Sequence, residues 1–344
     1  MRILIFIFML IVMMLIPISF FQLPDEWVLN TKVHLRHLNH NFQKNFVWQN
    51  ETGHSNKSSL NFNINKDQQI YTIALGDSKE KIERLLGQPK DEAYNEYQNV
   101  WKIYHHQFQE LIFIMYEKGR VVGIYTNQPN FSVHNVTIGS PKNAIHKHYT
   151  EPLQSLNGMT YQLKLNDKFS TIHKEKDAYI TLFYDQYQSN KVAGIKIIAE
   201  QVEQYKPMLY QSPNDNLKTG FRKMSYYLIN GTRTYFHMSS MKYDEEMEPV
   251  AQLHAQDMAE NQYFNHLNKK QQSPFDRMAA KKINYQYAGE NLAMGQVSAI
   301  EAHHGLMNSK GHRKNILNQY FNKVGIGIDF GTENQPYFVE NYRN

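Results

Sequence analysis

Between Tyr263 and Leu317 stand three residues whose side chains can do metal or acid-base chemistry together. They are His266 in Phe264-Asn265-His266, Glu290 in Gly289-Glu290-Asn291-Leu292, and His312 in Ser309-Lys310-Gly311-His312-Arg313. Two neutral imidazoles and a carboxylate suit a divalent ion with water in its open positions. Zinc is the expected occupant, with His266 and His312 as its ligands. Such an ion polarises a carbonyl and activates water, and Glu290, as ligand or general base, is the catalytic candidate. The same groups also read as a hydrogen-bonded brace, because buried polar side chains must be paired. Asn291 would then cap a nearby backbone group, and Arg313 would meet an acidic residue or a helix end. More than twenty residues separate each of the three from the next, too many for a local metal loop, so the fold must assemble the site. A small or polar neighbour beside each predicts a turn there. The chain has no Gly-x-Ser-x-Gly elbow, phosphate loop or His-Glu-x-x-His helix.

The elements that must position these residues are legible as periodicities. Phe221 to Thr234 reads as a helix, and Asp244 to Glu260 as a second with Met247, Ala251 and Met258 on one stripe. His254 lies beside that stripe, as a hydrogen-bonded core residue. Ser298 and Glu301 form a capping box that opens a third helix ending near Asn308. It carries Glu301, His303 and His304; neighbours on a helix point about 100° apart, so at most one of the two histidines faces a cleft. Val324, Ile326, Ile328 and Phe330 alternate with smaller or polar residues as a half-buried strand, with Tyr337 to Tyr342 as its partner.

Upstream, a pattern occurs twice. Ile73 to Ser78 leads into a helix over 79–86 and Gly87-Gln88-Pro89; Val136 to Pro141 leads into a helix from Lys142 and Glu151-Pro152. Asp77 or Ser78 caps the first helix, and Ser140 the second. Strand-like runs follow in each copy, giving a duplicated helix-plus-antiparallel-strand domain over 71–206 with no ligand cluster of its own. His105-His106 reads as a surface pair. A linker spans 207–219 and the last domain 220–344.

Before these lie an apolar run, Ile3 to Phe21, after Arg2, and a polar spacer over 25–70 with His34, His37 and His40 on one solvated face. Segment 1–24 is long enough to cross a bilayer, and Arg2 keeps its start inside; a cleaved, secreted form is the alternative. Cysteine is absent, which excludes disulfides and thiolate chemistry. A net charge of +5 without a basic stripe points away from nucleic acid and weakly toward anionic envelope polymers.

Six phrases arrive in order over 220–344: Asn230 to Arg233, His254 to Met258, Phe264 to His266, Gly289 to Leu292, Asn308 to Leu317 and Gly325 to Gly327. In this the chain resembles the CAP (SCP/TAPS) superfamily, and the upstream repeat resembles the CAP-associated amino-terminal domain of membrane-tethered Gram-positive proteins. The resemblance implies an α+β protein whose carboxy-terminal domain is a three-layer α-β-α sandwich. It also implies a cleft of two histidines and two acidic residues. His266, Glu290 and His312 match three of these, and Ser309 stands where many eukaryotic members have the fourth, a Glu. The function it implies is a membrane-tethered extracellular protein whose cleft, formed by His266, Glu290, Asn291, Ser309 and His312, binds a wall glycan, peptide or lipid. A metal-dependent, peptidase-like hydrolase using the same cleft is the alternative.

Overall fold

The computed structural model describes residues 61–66, 69–166 and 168–344, which belong to one compact unit. The apolar run at Ile3 to Phe21, the His34–His40 face and most of the spacer lie outside the described residues. Among the described residues no helix is long and apolar enough to cross a membrane.

The carboxy-terminal half is built around a four-stranded sheet of order β14-β16-β17-β15. Its strands are β14 (Lys242–Tyr243), β15 (Ala288–Met294), β16 (Lys323–Phe330) and β17 (Pro336–Arg343). The β16–β17 pair is the one the alternating sequence predicts, joined antiparallel with Ile326 opposite Glu340. Helix α4 (Glu248–Glu260) lies on one face of the sheet. It starts four residues later than its periodicity suggests, because Asp244 first receives turn bonds from Met247 and Glu248. The helix runs so close to β16 that a Cβ placed on Gly327 would lie 2.2 Å from the Ala251 backbone. Only glycine permits that approach. Helix α5 (Pro274–Ala280) packs near β15; Pro274 at its first turn and a reciprocal Ser273–Asp276 capping box fix its start. On the other face lie α3 (Asp215–Tyr235), α6 (Ala299–Met307) and α7 (Lys310–Ile316). Helix α3 begins inside the stretch read as a linker, because Asn214 caps it by accepting from Leu217 N.

The amino-terminal half contributes a seven-stranded antiparallel sheet of order β11-β12-β13-β6-β5-β4-β3. These strands are β3 (Asp91–Tyr94), β4 (Val100–His106), β5 (Gln109–Glu117), β6 (Arg120–Thr126), β11 (Ser170–Glu175), β12 (Ala178–Asp185) and β13 (Lys191–Ala199). Two meanders meet at the β6–β13 pairing. One face is covered by α1 (Lys79–Leu86) and a small sheet of β1 (Asn61–Lys66), β2 (Gln69–Ala74), β7 (Phe131–Val133) and β8 (Val136–Thr137). Strand β1 falls in the stretch read as spacer. Its Phe62 and Ile64 alternate with asparagines and are fully buried, a signal too short to stand out among so many polar residues.

Two glycine turns are held alike. Gly76 N donates to Val121 O (2.8 Å) and Val121 N to Asp77 O (2.9 Å); Gly139 N donates to Val192 O and Val192 N to Ser140 O, both 2.8 Å. Ser78 caps α1, as the sequence predicts, whereas the second turn leads into a 3-10 helix over Lys142–Lys147 with no side-chain cap; Ser140 bonds back to Thr137 N instead.

The seven-stranded sheet's other face packs on α3 and α6, and one apolar core crosses the junction. Trp101, Phe113, Tyr125 and Phe183 from the sheet cluster with Phe221, Met224, Leu228, Ile300 and Leu306 from the helices. Below the cover of α1 and the small sheet, the layers therefore run sheet, helices, sheet, helices.

Candidate functional site

Strand β15 is an edge of the four-stranded sheet. Its side chains alternate, so Leu292 joins Ala251, Ala255 and Met258 beneath α4, while Ala293 joins the core on the opposite side. The register places Glu290 opposite Asn341 and Asn291 opposite Glu340. Glu290 thus points to the α4–α5 side and Asn291 to the α7 side.

The loop carrying His266 is pinned from two elements. His254 Nε2 meets the Asn265 carbonyl at 3.0 Å, and Arg277 Nη1 donates to the His266 carbonyl at 2.8 Å. The His266 ring then donates from Nδ1 to Glu290 Oε1 at 2.8 Å, and Arg277 Nη2 donates to Glu290 Oε2 at 2.6 Å. Each carboxylate oxygen thus accepts one hydrogen bond. The Glu290 side chain is 1% exposed and that of Arg277 9%, whereas that of His266 is 51% exposed. With Nδ1 engaged by Glu290, His266 has Nε2 left to meet a ligand.

His312 comes from the other side. It sits on the first turn of α7, where Ser309 holds the N-cap position; Ser309 Oγ and His312 Nδ1 share a hydrogen bond of 2.9 Å. Helix α7 is stitched to the edge strand: Asn315 Nδ2 donates to Glu290 O (3.2 Å) and to Asn291 Oδ1 (2.9 Å), and Asn291 Nδ2 donates to His312 O (3.2 Å). Arg233 of α3 secures the end of α7 by donating to the carbonyls of Ile316, Asn318 and Phe321. Burial, and then the nearby charge of His266, push the His312 imidazole down to about 4, so it is neutral at neutral pH. Below it, burial pushes the Glu340 carboxyl up to about 7, against the hydrogen bonds that Tyr342 and Asn291 donate to it.

The turn expected at Glu290 and His312 is not found: one lies within a strand and the other within a helix. The three-ligand metal set is not assembled either. Among the described residues no group of three or more His, Asp and Glu side chains is placed to hold a metal ion. Arg277 explains this, because its guanidinium occupies the carboxylate oxygen that His266 leaves. Sequence reasoning missed Arg277, whose only signal was the Ser273-Pro274 helix start. His303 and His304 do not reach the site. His303 Nε2 bonds Thr232 Oγ1 at 2.7 Å, and His304 Nε2 bonds Tyr125 OH at 3.0 Å with its ring stacked on Phe183.

Residues 226–342 match the family described as the cysteine-rich secretory protein family, CAP, and residues 75–208 match the CAP-associated N-terminal family. The carboxy-terminal half is a CAP domain. The chain is 25% identical over 289 residues to the uncharacterized membrane protein YlbC of Bacillus subtilis, covering 78% of this chain and 82% of that one. It is 38% identical over 109 residues to the uncharacterized protein YkwD of the same organism, covering 32% of this chain and 42% of that one. Among solved structures, an extracellular SCP-domain protein from Bacillus anthracis superposes with a TM-score of 0.68 at 22% identity, covering 81% of this chain and 99% of that one. A cysteine-rich secretory protein from Staphylococcus aureus superposes with a TM-score of 0.63 at 14% identity, covering 78% and 93%. These two share the fold.

In this CAP domain, Ser309 holds the His312 ring and adds no negative charge beside it. A cavity of about 460 Å³, its open mouth included, lies between the CAP domain and the seven-stranded sheet, among Tyr184, Asp185, Lys191, Thr232, His303 and Asn308. None of His266, Glu290 and His312 lines it.

Proposed function

We propose that this is an extracellular envelope protein, tethered by the apolar segment at Ile3 to Phe21, whose CAP domain binds an envelope ligand between His266 and His312. The ligand classes that fit are wall glycan, wall peptide and lipid. The observation that carries the reading is the buried Glu290: 1% exposed and bonded by His266 and Arg277, it positions His266 and is withheld from solvent water. The His266 ring and the neutral His312 ring, on either side of the β15 edge, are suited to hydrogen-bonding a polar ligand. The tether rests on the apolar run and on the printed name of YlbC as a membrane protein. We also read the amino-terminal half as two copies of one unit, which the matching hydrogen bonds of its two glycine turns support.

The test is co-sedimentation of the full chain, in mild detergent, with purified Gram-positive wall sacculi and separately with lipid vesicles. Saturable retention that is lost in the His266→Ala, His312→Ala double variant, with its unfolding transition unchanged, is the expected result. Equal retention of both proteins would remove the cleft from the account. Release of soluble wall fragments by the wild type but not by Glu290→Gln would favour the hydrolase reading instead.

A further inference from the structure

The CAP domain's cleft is completed by a part of the chain that does not belong to it. The turn between α6 and α7 carries Asn308 and Ser309 and leads directly to His312. That turn is clamped by the end of β12. Asn308 Nδ2 donates to Tyr184 O at 2.7 Å, and Gln186 N donates to Asn308 Oδ1 at 2.9 Å. The Gln186 amide also donates to the Asn308 carbonyl. One residue beyond His312, Arg313 Nη1 donates to Asp185 Oδ2 at 2.8 Å, with both side chains largely buried, and its guanidinium lies over the rings of Tyr187 and Phe236. Residues on both sides of Ser309 and His312 are therefore gripped by Tyr184, Asp185 and Gln186. His266, by contrast, is placed among the described residues by CAP-domain groups, Glu290, Arg277 and His254 through Asn265.

We propose that Asp185 and Gln186 of the CAP-associated domain are positioning residues for the cleft, setting where the His312 imidazole stands relative to His266. The amino-terminal domain is then the mount for one wall of the site, and any shift of β12 moves Ser309 and His312 while His266 stays. This rests on the proposed binding role of the cleft only for its effect on affinity; the placement of the ring is testable without any ligand.

The experiment uses the full chain with isotopically labelled histidine, comparing wild type with Asp185→Asn, Asp185→Glu and a control, Lys196→Met. Lys196 pairs with Glu301 between the same two halves, but at the first turn of α6, at the opposite end of that helix from Asn308 and Ser309. Asp185→Asn is expected to shift the His312 ring signals and leave those of His266 in place, with Asp185→Glu restoring them in part. Lys196→Met is expected to leave both rings unmoved. Retention on wall sacculi should fall roughly five- to tenfold in Asp185→Asn, the size of a modest coupling between sites. If the His312 signals stay fixed in Asp185→Asn, or move equally in Lys196→Met, the positioning role is overturned. If the ring shifts while wall retention is unchanged, the positioning role stands and the wall-ligand reading falls.

Discussion

Arg277 is the residue on which the arrangement at Glu290 depends. Replacing it with Met strands a carboxylate that is 1% exposed and leaves the His266 carbonyl without its donor. Breaking a buried pair from one side costs about 3–5 kcal/mol, so Arg277→Met should lose about that much in chemical denaturation. The His312 ring gives a pH signature. An unfolded histidine takes up a proton near pH 6.5, whereas the folded ring resists until about 4. The contribution of His312 to stability should therefore fall as pH drops through that window, and His312→Asn should remove that share in a pH series of thermal melts, leaving the like-signed shares of His303 and His304. Sequence reading picked out His266, Glu290 and His312 because their residue types announce chemistry, and the structure hydrogen-bonds His266 to Glu290. It left a shared ion and a hydrogen-bonded brace both open, because an arginine arriving from a short helix leaves no mark on spacing.

At the scale of elements, the edge position of β15 decides what the site can be. An edge strand needs its outward backbone groups covered, and α7 does this through Asn315, which brings His312 to the same edge. The β16–β17 pairing was legible from alternation, but Gly325 and Gly327 show their reason only when α4 is laid against them. Gly327→Ala should cost about 3 kcal/mol or more, since the added carbon meets helix backbone, which cannot repack as a side chain can. The turn after β3 supplies a second pH response. Glu96 is 1% exposed, both its oxygens lack a partner, and burial pushes its carboxyl up to about 7 against the pull of Lys196 and Lys206. Glu203 and Glu301 share that buried cluster, so three carboxyls face two ammoniums. The folded state favours protonated Glu96, and its contribution to stability should decline as pH rises from about 4.5 through about 7. Glu96→Gln should remove that share, read as a melting temperature that falls less across the range than in the wild type, with the like-signed share of Glu340 left in place.

As a whole molecule, the chain is two recognisable domains that do not part cleanly. The sequence suggests a linker over 207–219; the amino-terminal family match ends at residue 208, and a helix already starts at Asp215. What no local pattern carries is that α3 and α6 bury one side against the CAP sheet and the other against the seven-stranded sheet. Gly220 records the closeness, since a Cβ there would lie 1.9 Å from the Tyr94 carbonyl oxygen. A fragment of residues 215–344 would expose the half of the shared core now covered by Trp101, Phe113 and Tyr125. It should lack a cooperative unfolding transition, while the full chain shows one transition by fluorescence and circular dichroism alike.

The most direct measurement of the central claim is a titration of the histidine-labelled full chain with soluble Gram-positive wall fragments, following the rings of His266 and His312 together. Saturable shifts of both rings, with one apparent affinity, are the predicted result. Binding that leaves both rings unmoved would place the ligand elsewhere and contradict the cleft.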